Sequence, residues 1–213
     1  FWVTKKRYGQ WIINDGGVKC DKLDVKGLDI VRSNFPPAFR DFMTTILKSI
    51  LENVDKEKID DKIINFKNNI KYADIYDIAL PTGVKNLKKF KNTNIKSSGG
   101  IFTNLRKGTP VHVKAAWKYN DLLRHYKLSN HELIKTGDKI KWVYLKEDNP
   151  FRIPQLAFKG YDDPDEIINE VIKKYIDYEK LFDKALYKKI KTWYEALEWS
   201  QPVDKQYTLN RFF

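Results

Sequence analysis

Cysteine is almost missing from this chain: Cys20 is the one thiol in 213 residues. A lone thiol closes no internal disulfide, so nothing in the composition argues for secretion. Long apolar runs are missing as well; none approaches the ~20 residues that cross a bilayer. The chain opens on Phe1 instead of Met and carries no signal-peptide pattern. That opening reads as the inside of a strand, so the expectation is a piece of a longer protein. Catalytic signatures are scarce. His112, His125 and His131 do not stand at metal-ligand spacing from Cys20. No glycine-rich loop precedes a Lys-Ser or Lys-Thr pair, and no Gly-x-Ser-x-Gly occurs. The acidic run Asp162, Asp163, Asp165 and Glu166 reads as the start of a helix, where carboxylates cap the end and complement its dipole, in preference to a metal site. The chain by itself is expected to be non-catalytic and to hold no metal.

Acid is missing locally too. From Ile78 to Asn120 there is no Asp or Glu, while Lys85, Lys88, Lys89, Lys91, Lys96, Arg106, Lys107, Lys114 and Lys118 fall in that stretch. The whole chain carries a formal charge of +12, and removing this block leaves 31 basic against 28 acidic residues. A solvated surface normally mixes signs, so a one-sign block points to a polyanion, nucleic acid first, with a basic loop lacking any partner as the plain alternative. A membrane surface fits less well, because the block is loop-rich and forms no amphipathic helix.

Enough apolar residues remain, 42% of the chain, to bury a core in one domain or one domain with an appendage. Residues 1–25 read as strands, rich in Trp, Val, Tyr and Ile, with Asn14-Asp15-Gly16-Gly17 as the turn. The period then changes. Ser33 or Asn34 is placed to cap a helix that has Pro36 and Pro37 in its first turn, with Phe39, Phe42, Met43, Ile46, Leu47, Ile50 and Leu51 on a broad apolar face. Asp55 is placed to cap a second helix. Residues 77–108 read as irregular. Thr109-Pro110 opens a third helix, and strands are expected at 139–145 and 156–158. Two further helices follow, from Asp162-Asp163-Pro164 and over about 178–198, the last ended by Gln201-Pro202. The fold class is α+β: mainly helical, with a small β section, preceded by a β-strand piece.

The final eight residues read Gln206-x-x-Leu209-x-x-Phe212-Phe213. In one 3₁₀-like turn Leu209 and Phe212 face the same way, forming an anchor plug for an apolar pocket. The alternative is a hydrophobic terminus folded onto its own domain. This tail resembles the clamp-binding peptides of replication proteins.

Lys5-Lys6-Arg7-Tyr8, followed by Gly27-Leu28-Asp29-Ile30-Val31-Arg32-Ser33, resembles family B DNA polymerases just after their last catalytic palm motif. Leu80-Pro81-Thr82-Gly83-Val84-Lys85-Asn86 is similar to the family's thumb loop, and Gly108-Thr109-Pro110-Val111-His112-Val113-Lys114 to the helix that follows; Gly137-Asp138-Lys139-Ile140 is similar to the opening of its strand section. The motifs stand in the family's order over nearly the whole chain, and the layout with its terminal peptide is most similar to T4-type bacteriophage polymerases. The resemblance implies residues 1–28 as the palm edge, 29–199 as the thumb and 200–213 as a tail that binds a sliding clamp through Gln206, Leu209, Phe212 and Phe213. It implies duplex primer–template as partner, no membrane, and host-cell cytoplasm if the gene is a phage's. The metal-binding aspartates, the fingers and the exonuclease of the family lie upstream of this region, so Mg²⁺ is implied for the intact polymerase and no cofactor for this piece.

A protein that must hold any sequence uses phosphate contacts, not base edges. The resemblance implies Lys5, Lys6, Arg7 and Tyr8 near the primer end, with Lys6 in the minor groove and Tyr8 supporting its strand. It implies Arg32 and Ser33 on phosphates at the palm–thumb junction, backbone donors at Thr82 and Gly83, and a grip lined by Lys85, Asn86, Lys107, His112 and Lys114. A stand-alone DNA-binding, clamp-interacting accessory protein is the alternative reading. A small nuclease would need a carboxylate cluster that the sequence does not show.

Overall fold

The computed structural model describes residues 1–92 and 100–202. Among the described residues there are two compact units: 1–78 together with 182–202, and those between Ala79 and Leu181. These units follow packing and cut the chain elsewhere than the functional segments expected above. The fold is α+β, with helices and two three-stranded antiparallel sheets.

In the first unit, β1 (Trp2–Thr4), β2 (Arg7–Asp15) and β3 (Val18–Lys26) form one meander. The turn read from Asn14 to Gly17 is there. Gly16 and Gly17 both take positive φ (59° and 92°), and Asn14 Oδ1 accepts the Gly17 N–H at 2.8 Å. Two left-handed residues between paired strands match the right-handed strand twist, which is why glycines sit there. The sheet meets α1 (Pro37–Leu51) at Gly9, where a Cβ would lie 2.8 Å from a Leu47 methyl. Phe39, Met43, Ile46 and Leu47 of α1 are fully buried. α2 (Lys56–Asn69) adds Ile59 and Ile63, and Phe66 stacks on Phe42 with ring centres 4.0 Å apart. A short helix, α3 (Ile75–Ile78), closes this run.

Neither Ser33 nor Asn34 caps α1. Pro36 occupies the cap position without a side-chain hydrogen bond. Arg40 does the tethering, donating to the carbonyls of Arg32 (3.0 Å) and Phe35 (3.2 Å). Asp55 does stand at the α2 cap position, but its carboxylate pairs with Lys58 at 3.0 Å and makes no cap bond.

The second unit holds the sheet β4 (Leu80–Gly83), β5 (Lys139–Tyr144) and β6 (Gln155–Phe158), with β5 central. β4 falls inside the stretch expected to be irregular. It is four residues long and contains Pro81 and Gly83, so propensity hides it; Pro81 is tolerated because β4 is an edge strand. α4 (Val111–His125) packs on this sheet. The buried Asn120 amide donates to Ile134 O (2.9 Å) and accepts from Ile134 N–H (2.7 Å), pinning the loop before β5. α5 (Asp165–Ile167) runs into a π-type stretch, Ile168–Lys173, and α6 (Tyr178–Leu181) ends the unit. In the first unit a π-type stretch, Phe182–Tyr187, leads into α7 (Lys188–Ala196), whose Trp193 is buried against the Phe1 ring. The chain leaves α7 at Glu198 (φ 56°), three residues before Gln201-Pro202.

Candidate nucleic-acid interface

The first unit carries Lys5, Lys6, Arg7, Tyr8, Arg32 and Ser33. Thr4 pairs with Arg7, so Lys5 and Lys6 are the two turn residues of the β1–β2 hairpin, both exposed. Behind them runs Gly27 at φ 68°; a Cβ there would stand 2.3 Å from Lys6 O. Only glycine lets the β3 exit press against that turn, so Gly27 fixes where the two lysines point. Tyr8 lies against Trp2 (ring centres 4.6 Å apart), and its hydroxyl reaches Asp24 at 3.5 Å. Lys26 sits 5.9 Å over the same ring, and the Tyr8 contact, reinforced by Asp24, raises its pKa.

Arg7 is largely committed to structure. Its Nε donates to Gly27 O (3.2 Å) and its terminal nitrogen reaches Asp29 (3.4 Å). Asp29 is the hub that the sequence did not disclose. Its side chain is 7% exposed, yet it faces three cations: Arg7, Arg32 at 3.3 Å and Lys189 at 3.3 Å. One carboxylate against three cations leaves local positive charge, with Arg32 the most open of the three at 55%. Arg7 and Arg32 were legible from the motif; Lys189 comes from α7 and had no sequence signal. Ser33 is exposed beside Arg32.

The second unit carries Thr82, Gly83, Lys85, Asn86, Lys107, His112 and Lys114. Val84 N–H bonds to Asp138 O at 2.8 Å, continuing the β4–β5 ladder. Antiparallel alternation then turns the Thr82 N–H toward β5 and the Gly83 N–H away from the sheet. Thr82 Oγ1 is taken by the Trp142 indole N–H at 3.2 Å. Gly83 is exposed, and a Cβ on it would meet nothing within 4 Å. The fold therefore places no steric demand for glycine there. Lys85 and Asn86 form the exposed corner after β4, with Asn86 left-handed (φ 53°), a conformation asparagine tolerates. The corner is held at both ends: Val84 by Asp138, and Leu87 N–H by Thr136 Oγ1 at 3.0 Å.

A 3₁₀ turn, Leu87–Phe90, exposes Lys88 and Lys89 and is anchored by Trp117 Nε1–H to Leu87 O at 3.1 Å. Phe90 and Asn92 then bond to Arg106 and Asn104 (both 2.9 Å), which sets Lys89 and Lys91 beside Arg106 and Lys107. Thr103 is docked on Asp121 of α4 by two hydrogen bonds, 2.7 and 2.9 Å. Thr109 Oγ1 donates to Arg106 O, and Pro110 takes the α4 cap position with no side-chain bond. Lys107 lies in the turn that leads into α4, and His112 lies in the helix's first turn, where free N–H groups form the positive end of its dipole. Burial pushes the His112 pKa down. Lys118, one turn past Lys114, is held down to about 8 by burial and by the Lys114 charge. Lys96 lies outside the described residues, as do the four tail positions Gln206, Leu209, Phe212 and Phe213.

Among the described residues, no group of three or more His, Cys, Asp or Glu side chains is arranged to hold a metal ion. The acidic run is spent locally. Asp163 accepts the Lys159 and Gly160 N–H groups (2.8 and 2.7 Å), tying the loop before α5 and leaving the helix end uncapped. Asp165 accepts from Asn169 at 2.7 Å. No described helix is long and apolar enough to cross a membrane.

The DNA-directed DNA polymerase of Enterobacteria phage T4 is 24% identical over 191 residues, covering 88% of this chain and 20% of the phage protein. The chain thus spans about a fifth of the length of that relative. A family profile for DNA polymerase family B matches residues 1–197. Motif order, architecture and that match agree: the chain belongs to family B of the DNA polymerases.

Proposed function

We propose that this chain is the thumb region of a replicative DNA-directed DNA polymerase, with residues 1–28 from the palm edge, 29–199 as thumb and 200–213 as a clamp tether. It grips primer–template duplex through the phosphates and carries no catalytic residue. Synthesis belongs to the intact polymerase, whose Mg²⁺ ligands lie outside this chain. Lys5 and Lys6 meet the duplex from the hairpin turn, and Tyr8 braces their strand. Arg32, with Arg7 behind it, and Ser33 meet phosphates at the junction. In the second unit Lys85, Asn86, Lys107, His112 and Lys114 form the grip. Of the Thr82–Gly83 pair, the Gly83 N–H is the available donor, and its missing side chain admits a phosphate. Gln206, Leu209, Phe212 and Phe213 seat in the sliding clamp.

The observation that carries this reading is the carboxylate-free stretch from Ile78 to Asn120. Lys85, Lys88, Lys89, Lys91, Arg106 and Lys107 of this stretch stand exposed, and the corner after β4 is braced by the loop before β5 and by α4. Backbone-phosphate binding has a salt signature: about six neutralised phosphates give a log K against log[salt] slope of about −5. Fluorescence anisotropy on a labelled duplex between low and moderate salt measures it. A slope near zero would refute the grip.

A further inference from the structure

The second unit has two adjoining hollows that the duplex grip does not use. One, of about 440 Å³, is lined by the C-terminal end of α4 and the turn after it. The other, of about 480 Å³, lies between the 3₁₀ turn, α4 and the loop before β5. They share Arg124 and Leu133 in their linings. Their walls are apolar, supplied by Leu87, Trp117, Leu123, Leu128 and Leu133. Their charged residues are Lys88, Arg124, Lys127 and Lys135, and neither lining contains a carboxylate. Acids beside the linings are engaged: Asp138 accepts the Lys135 N–H at 2.8 Å, and the Asp162 carboxylate lies 4.0 Å from His131. Asp121 is buried under Thr103 and Arg124, the latter at 2.8 Å, and Glu132 is paired with Lys159 at 2.9 Å.

An apolar trough with a cationic rim selects a ligand with the opposite pattern: carboxylates outside, apolar side chains inside. We propose that this groove docks an acidic peptide segment of another protein, one carrying aspartates or glutamates around two or three leucine or phenylalanine anchors. DNA is the poorer occupant. Duplex phosphates call for polar donors, and a leucine-lined floor offers none. The first hollow lies at the far end of α4 from His112, with twelve residues of helix, about 18 Å, between His112 and Arg124; the second reaches back along α4 to Trp117 and adjoins the corner after β4 through Leu87 and Lys88. Lys85, Asn86, Lys107, His112 and Lys114 line neither hollow; of the cations in the acid-free block, Lys88 does, on the rim of the second.

The test uses the whole chain and three fluorescent probes. The first is a peptide of about twelve residues alternating aspartates with leucine and phenylalanine; the second replaces its apolar residues by serine at equal charge; the third is a DNA duplex. The first peptide should bind at least about tenfold more tightly than the serine peptide, since anchors in pockets carry most of the energy. Lys127→Glu with Lys135→Glu should weaken it about tenfold or more while duplex affinity stays unchanged. On the unaltered chain, NMR should show the peptide shifting the Trp117 indole N–H, which bonds to Leu87 O in the floor; this readout needs no variant to fold. Equal binding of the serine peptide would reduce the groove to unspecific charge and overturn the proposal. So would displacement of the peptide by duplex, which would make the surface part of the DNA grip. An unshifted Trp117 signal at saturating peptide would overturn it as well.

Discussion

Reversing Lys85, Lys107 and Lys114 to glutamate together tests the grip where the structure makes it most vulnerable. Lys85 and Lys107 are exposed, Lys114 is half-buried, and none forms an ion pair among the described residues. Reversal therefore strands no partner, and the fold should lose no more than about 0.5 kcal/mol per site. Lys114→Glu even creates a favourable pair, because Lys118 lies one turn on, in the Glu-before-Lys order that helices prefer. Each lost phosphate contact should remove about 0.9 from the salt slope, taking it from about −5 to between about −2 and −3. At ~0.1 M salt the same loss of counterion release lowers affinity by roughly several hundredfold. Anisotropy against a salt series reads both numbers, and a thermal melt confirms folding. An unchanged slope in a folded variant would mean that these three cations do not face the duplex, and the proposed grip would be wrong.

Asp29→Asn removes the one carboxylate among Arg7, Arg32 and Lys189. The partners are partly exposed, so a loss of about 1–3 kcal/mol is expected, less than for a fully buried network; that is a fall of roughly 2–10 °C in the melting of the first unit, and a shift below a degree would show that the hub does not hold the junction. Phe212→Ala with Phe213→Ala should abolish capture by an immobilised sliding clamp while duplex affinity stays within about twofold, since aromatic anchors dominate such contacts; joint loss of both would mean that the tail belongs to the fold. The Lys118 amine gives a pH signature. Its pKa is lowered from 10.5 to about 8 in the folded chain, so between those values the unfolded state binds the extra proton. This group's contribution therefore rises with pH from about 8 to 10.5, by about 1–2 kcal/mol after screening of a partly exposed group. Lys114→Gln should move the Lys118 titration upward, as followed by NMR of the lysine side chain; a titration that does not move would exclude the Lys114 charge as a cause.

Much of this fold was legible because local chemistry and tertiary packing agree. The Asn14–Gly17 turn, α1, α4 and the strand at 139–144 announce themselves by turn residues or period. β4 did not, because a strand's stability lies in its partner: Thr82 meets Trp142 across 60 residues of chain. The π-type stretches at Ile168–Lys173 and Phe182–Tyr187 were also hidden, since their apolar spacing is the same pattern that reads as an α-helix. The capping errors have different causes. Asp163 is drawn to the Lys159 and Gly160 N–H groups and Asp55 to Lys58, whereas Ser33 and Asn34 stand short of the cap position, which Pro36 takes.

The candidate site divides along the same line. A block of cations without acid is visible as a string, but whether those cations are available depends on which carboxylates the fold brings to them. Around Arg7 and Arg32 it brings Asp29, and with it a third cation from α7. The acid thus neutralises one charge while fixing the positions of three. Around Lys85, Lys88, Lys89 and Lys107 the described structure brings no ion-pair partner. The backbone does the fixing instead, through Val84, Leu87 and Phe90. The two clusters should therefore respond differently to mutation. Removing a carboxylate should disorder the first, whereas only removing the cations themselves should silence the second.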